Sequence, residues 1–139
     1  VEYLTVSQLV IDSGLLILIW LVQLIIYPSF RYTADEYFIT WHARYTGLIA
    51  LVVTPLMLFQ VGIEIMHVLF LTSRWLRIGF IAAIWISTFS FSVPCHNRLH
   101  AEGKKRELVE RLIKTNWIRT VLWTMLFLET MSQTYGQCA

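Results

Sequence analysis

The sequence predicts an all-α fold, a polytopic membrane protein built as an antiparallel four-transmembrane-helix bundle. Three observations predict it. Hydrophobic residues make up 57% of the 139 and charged residues only 14%, against roughly 25% charged in soluble domains, and the mean hydropathy is +0.62. The apolar residues fall into four runs, each near the ~20 residues a helix needs to cross a bilayer. The few charges gather mostly at the ends of those runs. A net charge of +2 supplies no electrostatic footprint for nucleic acid, and one integral membrane domain is expected over residues 1–139.

The first run, residues 13–30, lies between Asp12 and the polar stretch that begins at Arg31, with Pro28 near its end. The residues ahead of it include Glu2 and Asp12 but no Lys or Arg, and no small-x-small site follows. It is expected to be a retained span and not a cleaved signal. The second run, 47–71, follows a polar-aromatic stretch and contains Pro55, which a transmembrane helix tolerates as a kink. The third, 75–93, is expected to stop at Pro94, and the fourth covers 113–131. Arg98 to Lys114, the only strongly charged stretch, reads as an exposed loop plus a helical extension.

Four spans place both termini and the 72–74 turn on one side and the 31–45 and 94–114 connections on the other. The second side collects Arg31, Arg44, Arg98, Lys104, Lys105, Arg106, Arg111 and Lys114; the first has only Arg74 and Arg77. That bias orients the 31–45 and 94–114 connections to the cytoplasm and both termini to the outside. Arg119 is the one basic residue left inside a span. The two cysteines, Cys95 and Cys138, fall on opposite sides and cannot bridge each other; Cys95 reads as a packing residue.

Polar residues inside spans usually face the bundle interior. At 100° per residue, Asp12, Gln23 and Gln8 share a stripe on the first helix. His42, Thr46, Gln60, Glu64 and His67 share one on the second, and Asn116, Arg119, Thr120 and Trp123 on the fourth, with Glu129 pointing elsewhere. The third helix offers the small residues Gly79, Ala83, Ser87 and Ser90.

Two depths concentrate the chemistry. At the cytoplasmic end, Trp41, His42 and Tyr45 converge with His96, Asn97, Arg98 and His100 and with Asn116, Trp117 and Arg119. One reading is a pocket in which His42 and His96 exchange a proton, Arg119 supplies a permanently charged fork of donors, and Tyr45, Asn97, Asn116 and Trp117 complete the ligand contacts. The other is an aromatic belt with Arg119 snorkelling to the interface. His42 and His96 are also candidates to ligate one haem iron from two sides. At the outer end, Asp12, Glu64 and His67 are candidates for a transition-metal site of three protein ligands or for a hydrogen-bonded cluster closing the bundle. Glu64-x-x-His67 has the spacing of di-iron bundles, which need two such motifs. No complete cofactor motif is present, so the site is expected to work without one.

Pro94-Cys95-His96-Asn97-Arg98-Leu99 followed by Thr115-Asn116-Trp117-Ile118-Arg119-Thr120 resembles the paired signature of anthrone-oxygenase-like membrane proteins, a Pro-x-Asn-x-x-Leu element after the third span and a Trp-Asn-x-x-Arg-Thr element opening the fourth. His96 stands where that family usually has Asn, and Thr115 where it usually has Trp. The resemblance covers only the last two spans. It implies a small bacterial inner-membrane protein of four helices and, for a few members, oxidation of aromatic polyketides without an evident metal or flavin.

Two functions follow as expectations. The first is a membrane protein whose inner pocket binds or oxidises a lipophilic oxygenated molecule, a quinone or polycyclic aromatic. His42 or His96 acts as general base, and Arg119 with Asn116 steadies an enolate or phenolate. The second is an accessory or structural subunit of a larger membrane complex, contacting protein, pigment or lipid through its six Trp, six Tyr and eight Phe. Membrane lipids are expected partners in either case.

Overall fold

The computed structural model describes the backbone of residues 2–71 and 74–138 and the side chains of 3–71 and 74–134. Residues 72 and 73 of the expected turn and the Cys138 side chain lie outside the described residues. Four helices make up the fold. The first runs Glu2–Leu21, passes through a π-helical turn Val22–Ile26 and ends Tyr27–Ser29; the second is Asp35–Phe70. The third runs Trp75–Ser87, passes through a second π turn Thr88–Ser92 and ends Val93–Glu102; the fourth is Arg106–Cys138. No strand occurs among the described residues.

The helices reach beyond the apolar runs, so the expected 31–45 connection shrinks to 30–34 and the 94–114 connection to 103–105. The added turns are amphipathic. Phe38 and His42 are buried while Tyr37, Ile39 and Trp41 are exposed, a helical face that average hydropathy does not register. Asp35 and Glu36 in the first turn of the second helix favour its positive N-terminus. Gly103, at φ 77°, turns the chain from the third helix to the fourth in a conformation that L side chains rarely adopt. Lys104 Nζ then ties the two connections together, donating to Thr33 O at 2.6 Å and pairing with Asp35 at 2.6 Å. Beside them Arg31 donates twice to Glu110, at 2.7 and 2.8 Å, and these bonds hold the Glu110 carboxyl below its ordinary range.

The third helix continues through Pro94, contrary to expectation, and the π turn explains why. A proline lacks an N–H, and its ring clashes with the carbonyl four residues back. For Pro94 that carbonyl belongs to Ser90, inside the Thr88–Ser92 turn, where the helix has widened and Val93 N–H bonds to Thr88 O. Pro28 repeats the arrangement after Val22–Ile26, with Tyr27 N–H bonded to Val22 O.

Three helices, Tyr3–Ser29, Asp35–Phe70 and Trp75–Glu102, are long and apolar enough to cross a membrane. The fourth is not among them, because Lys114, Asn116, Arg119 and Glu129 interrupt it. Four of its polar residues face its neighbours: Asn116, Arg119, Thr120 and Thr130 are all buried. The first helix packs against the second and fourth, and the third packs against the fourth along its length. The second meets the third chiefly at Val93–Glu102, so these two helices part towards the other end. Cys95 packs in the core beside Leu99 and Leu112.

At the end away from the 30–34 and 103–105 connections, Arg77 is 1% exposed. It pairs with Asp12 at 2.5 Å, Glu129 at 2.9 Å and Glu64 at 3.0 Å, and donates to Thr130 Oγ1 at 2.9 Å. Arg74 reaches the same Glu64 oxygen at 2.7 Å. This corrects the expectation that Arg119 is the only basic residue within the helices' interior and that Glu129 faces away. Glu129 lies about 80° round the fourth helix from Arg119, and the long Arg77 side chain spans that offset.

Removing one partner from a buried ionic cluster leaves uncompensated charge and costs about 3–5 kcal/mol. Arg77→Leu is expected to lower the thermal unfolding midpoint in mild detergent sharply, whereas Arg98→Gln, at the exposed pair with Glu102, leaves it unchanged.

Candidate functional site

Where the second and third helices part, a cavity of about 650 Å³ opens between them, with the first and fourth helices as its floor. Its apolar walls include Leu15, Ile19, Val53, Met57 and Phe89, and its polar wall is formed by Tyr27, Tyr45, His96, His100 and Arg119, with Trp85 and Trp123 nearby. Both π turns border it, through Val22 on one side and Thr88, Phe89 and Ser92 on the other. Such turns occur frequently at functional sites. Ala50, Thr54, Phe89 and Val93 are exposed at its rim, so the mouth faces sideways, between helices.

The polar wall is one hydrogen-bonded chain. Asn116 Nδ2 donates to Gln23 Oε1 at 2.8 Å, and Asn116 Oδ1 accepts from Arg119 Nη2. The same Nη2 donates to the Tyr27 hydroxyl at 3.2 Å. Tyr27 Oη lies 3.1 Å from His96 Nε2, and His96 Nδ1 lies 2.9 Å from His42 Nε2. Because Tyr27 accepts from Arg119, its own hydrogen is free for His96 Nε2. Nδ1 of His96 is then the protonated nitrogen and donates to His42. His100 bonds separately to Thr46 at 3.1 Å.

Arg119 is 7% exposed. Among the described residues no carboxylate lies within ion-pair distance of it, and its Nε is buried without a hydrogen-bond partner. Trp85 Nε1 is buried in the same condition. The cavity wall therefore holds two donors and one positive charge that the protein itself leaves unanswered.

The structure brings Tyr45, His96, Asn97 and Arg119 to the cavity. His42 lies one hydrogen bond behind His96, and Asn116 one behind Arg119, so both support the wall without lining it. Trp117 is corrected: one residue on from Asn116 it lies about 100° round the helix, 43% exposed and edge-on to Trp20 at 5.7 Å. The haem pairing of His42 and His96 does not fit either. Two metal–nitrogen bonds of about 2 Å each need the ligating atoms about 4 Å apart, and here they are hydrogen-bonded.

The outer trio is corrected in the same way. Both Asp12 oxygens and Glu64 Oε2 are taken by Arg77, Arg74 and Gln60, Glu64 Oε1 being left without a partner, and no three of His, Cys, Asp or Glu among the described residues group to hold a metal ion. His67 is buried nearby. Among the small residues of the third helix, Ser87 is buried but Gly79 and Ser90 face outward. Tyr27, central to the wall, was legible one turn after Gln23 on the same stripe. Trp85, alone in an apolar run, gave no signal.

The chain matches no protein-family model, no curated protein and no solved structure.

Tyr27→Phe removes the hydroxyl shared by Arg119 and His96 and leaves both short of a partner in a buried place, a loss of about 1–3 kcal/mol. Thermal unfolding in detergent is expected to show a clear drop, while the far-ultraviolet helix signal is retained.

Proposed function

We propose that the chain is an integral membrane protein, an antiparallel bundle of four transmembrane helices. Its lateral cavity, near the cytoplasmic end, binds or oxidises a lipophilic oxygenated molecule of the quinone or polycyclic aromatic kind. Three apolar helices support the membrane placement, and the fourth joins them by turning its polar residues inward. Eight Lys and Arg residues at the end carrying the 30–34 and 103–105 connections support an orientation with that end in the cytoplasm and the termini outside. The similarity to anthrone-oxygenase-like proteins points to a bacterial inner membrane.

The observation that carries the reading is Arg119: buried, unpaired by any carboxylate among the described residues, and on the wall of a cavity of about 650 Å³, within the range of small-molecule sites. A ligand oxygen placed there receives the free Nε–H, and the Trp85 N–H is a second open donor on the same lining. His96, backed by His42, stands at the same wall as the base that takes up a proton relayed from the ligand through the Tyr27 hydroxyl, and Arg119, held by Asn116 and Tyr27, steadies negative charge that develops on a phenol or enol. A molecule dissolved in the bilayer reaches the cavity through the sideways mouth.

The accessory-subunit reading draws on a second cleft of about 300 Å³ between the same two helices, lined by Val61, Ile65, Val68, Ile78 and Ile81 with Glu64. Isolation from native membranes in mild detergent separates the two: constant association with a second polypeptide favours the subunit.

Titration of the purified protein with 2-methyl-1,4-naphthoquinone, read by quenching of tryptophan fluorescence, is expected to saturate. Arg119→Leu is expected to weaken it at least tenfold with the helix content unchanged. Equal binding in that variant overturns the site.

A further inference from the structure

We infer that the ligand of this cavity is a lipophilic acid bound as its anion, an aromatic or long-chain carboxylate or an equivalent anionic headgroup, with the charge at Arg119 and the apolar body between the second and third helices. The inference rests on the cavity being a ligand site and adds the charge of the ligand.

The molecule contains its own point of comparison. Its other deeply buried arginine, Arg77, is surrounded by three carboxylates, Asp12, Glu64 and Glu129, from three different helices. Arg119 has an equally permanent charge and similar burial, yet its partners are the neutral oxygens of Tyr27 and Asn116. Asn116 is itself held by Gln23, so the guanidinium is fixed in position and not merely lodged there. A buried charge without a counter-ion is costly in an apolar setting; among the described residues no carboxylate pairs with it, and a negative charge on the ligand would answer it.

The unpartnered atoms give the ligand's polarity independently. Among the described residues that line the cavity, the buried side-chain atoms without partners are Arg119 Nε and Trp85 Nε1; His42 Nδ1 and Ser87 Oγ, also unpartnered, lie behind the lining. Both lining atoms carry an N–H and neither can accept, so they are matched by acceptor oxygens. A neutral ketone or ester supplies acceptors but no charge; a carboxylate supplies both. Val53, Met57 and Phe89 provide an apolar bed leading from Arg119 to the open side, which suits a molecule with one charged end.

The test compares two probes differing only in that charge: anthracene-9-carboxylate and its methyl ester. Each is titrated into the protein in phosphatidylcholine nanodiscs and read by energy transfer from tryptophan, with empty nanodiscs subtracted. The carboxylate is expected to bind at least tenfold more tightly than the ester, and Arg119→Gln to abolish that preference, bringing the two affinities within twofold of each other. Equal affinities in the unmutated protein overturn the anion and leave the cavity as a site for neutral ligands; no binding of either, together with no binding of the naphthoquinone, overturns the site as well. The unmutated comparison decides the matter even if Arg119→Gln fails to accumulate. Repeating the titration with phosphatidylglycerol in the nanodiscs distinguishes the source: competition assigns the site to an anionic phospholipid headgroup, and its absence to a free acid, each consistent with an anionic occupant.

Discussion

Arg77 is the interaction on which the arrangement of helices depends. From the third helix it reaches Asp12 on the first, Glu64 on the second and Glu129 with Thr130 on the fourth, so one side chain connects all four elements at one end. A guanidinium has five N–H donors in a fixed plane, and here each nitrogen finds an oxygen. Apolar contact between helices is weakly directional, and in lipid it lacks the hydrophobic driving force that acts in water. A buried ionic cluster contributes the specificity that apolar contact lacks, because a rotated or displaced helix would leave charge unpaired.

The opposite end is held by different means. Lys104 joins the two connections, Arg31 joins the first connection to the fourth helix, and Phe30, Phe38, Leu99 and Leu112 pack beneath them. The second and third helices meet closely only at Val93–Glu102, and the cavity occupies the gap that opens beyond that contact. The π turns contribute by letting two helices continue through Pro28 and Pro94, which brings Tyr27 and His96 to the same wall. His96 lies beyond the proline at which its apolar run ends, and without the widened turn it would stand in a loop.

Several features were legible in the residues. The number of helices follows from four apolar runs, and the inward stripes follow from 100° spacing: Gln8, Asp12, Gln23, His42, Gln60, Glu64, Asn116 and Arg119 are all buried. The convergence of His42, His96 and Arg119 at one depth follows from antiparallel connection of short-looped helices. Helix ends were less legible, because hydropathy measures suitability for lipid and the final turns of each helix are amphipathic. Tyr27 shares the stripe of Gln23, but an aromatic near a helix end reads as an interface residue until its hydroxyl has a partner.

Composition and periodicity by themselves determined that the chain is helical, that its long apolar runs suit a membrane, and which faces turn inward; that three of the four helices are long and apolar enough to cross one came with the helix bounds. These are local properties, set by each residue's transfer energy and its angle on a helix. Which charges neutralise one another was decided only in three dimensions. Arg77 and Arg119 are the same residue type at similar burial; one is surrounded by carboxylates from three other helices and the other by neutral groups. Pairing depends on distances of a few ångströms between charged residues up to 79 positions apart, a scale that packing sets and linear spacing does not. That difference turns a sequence with two inward arginines into a molecule with one structural cluster and one unanswered charge.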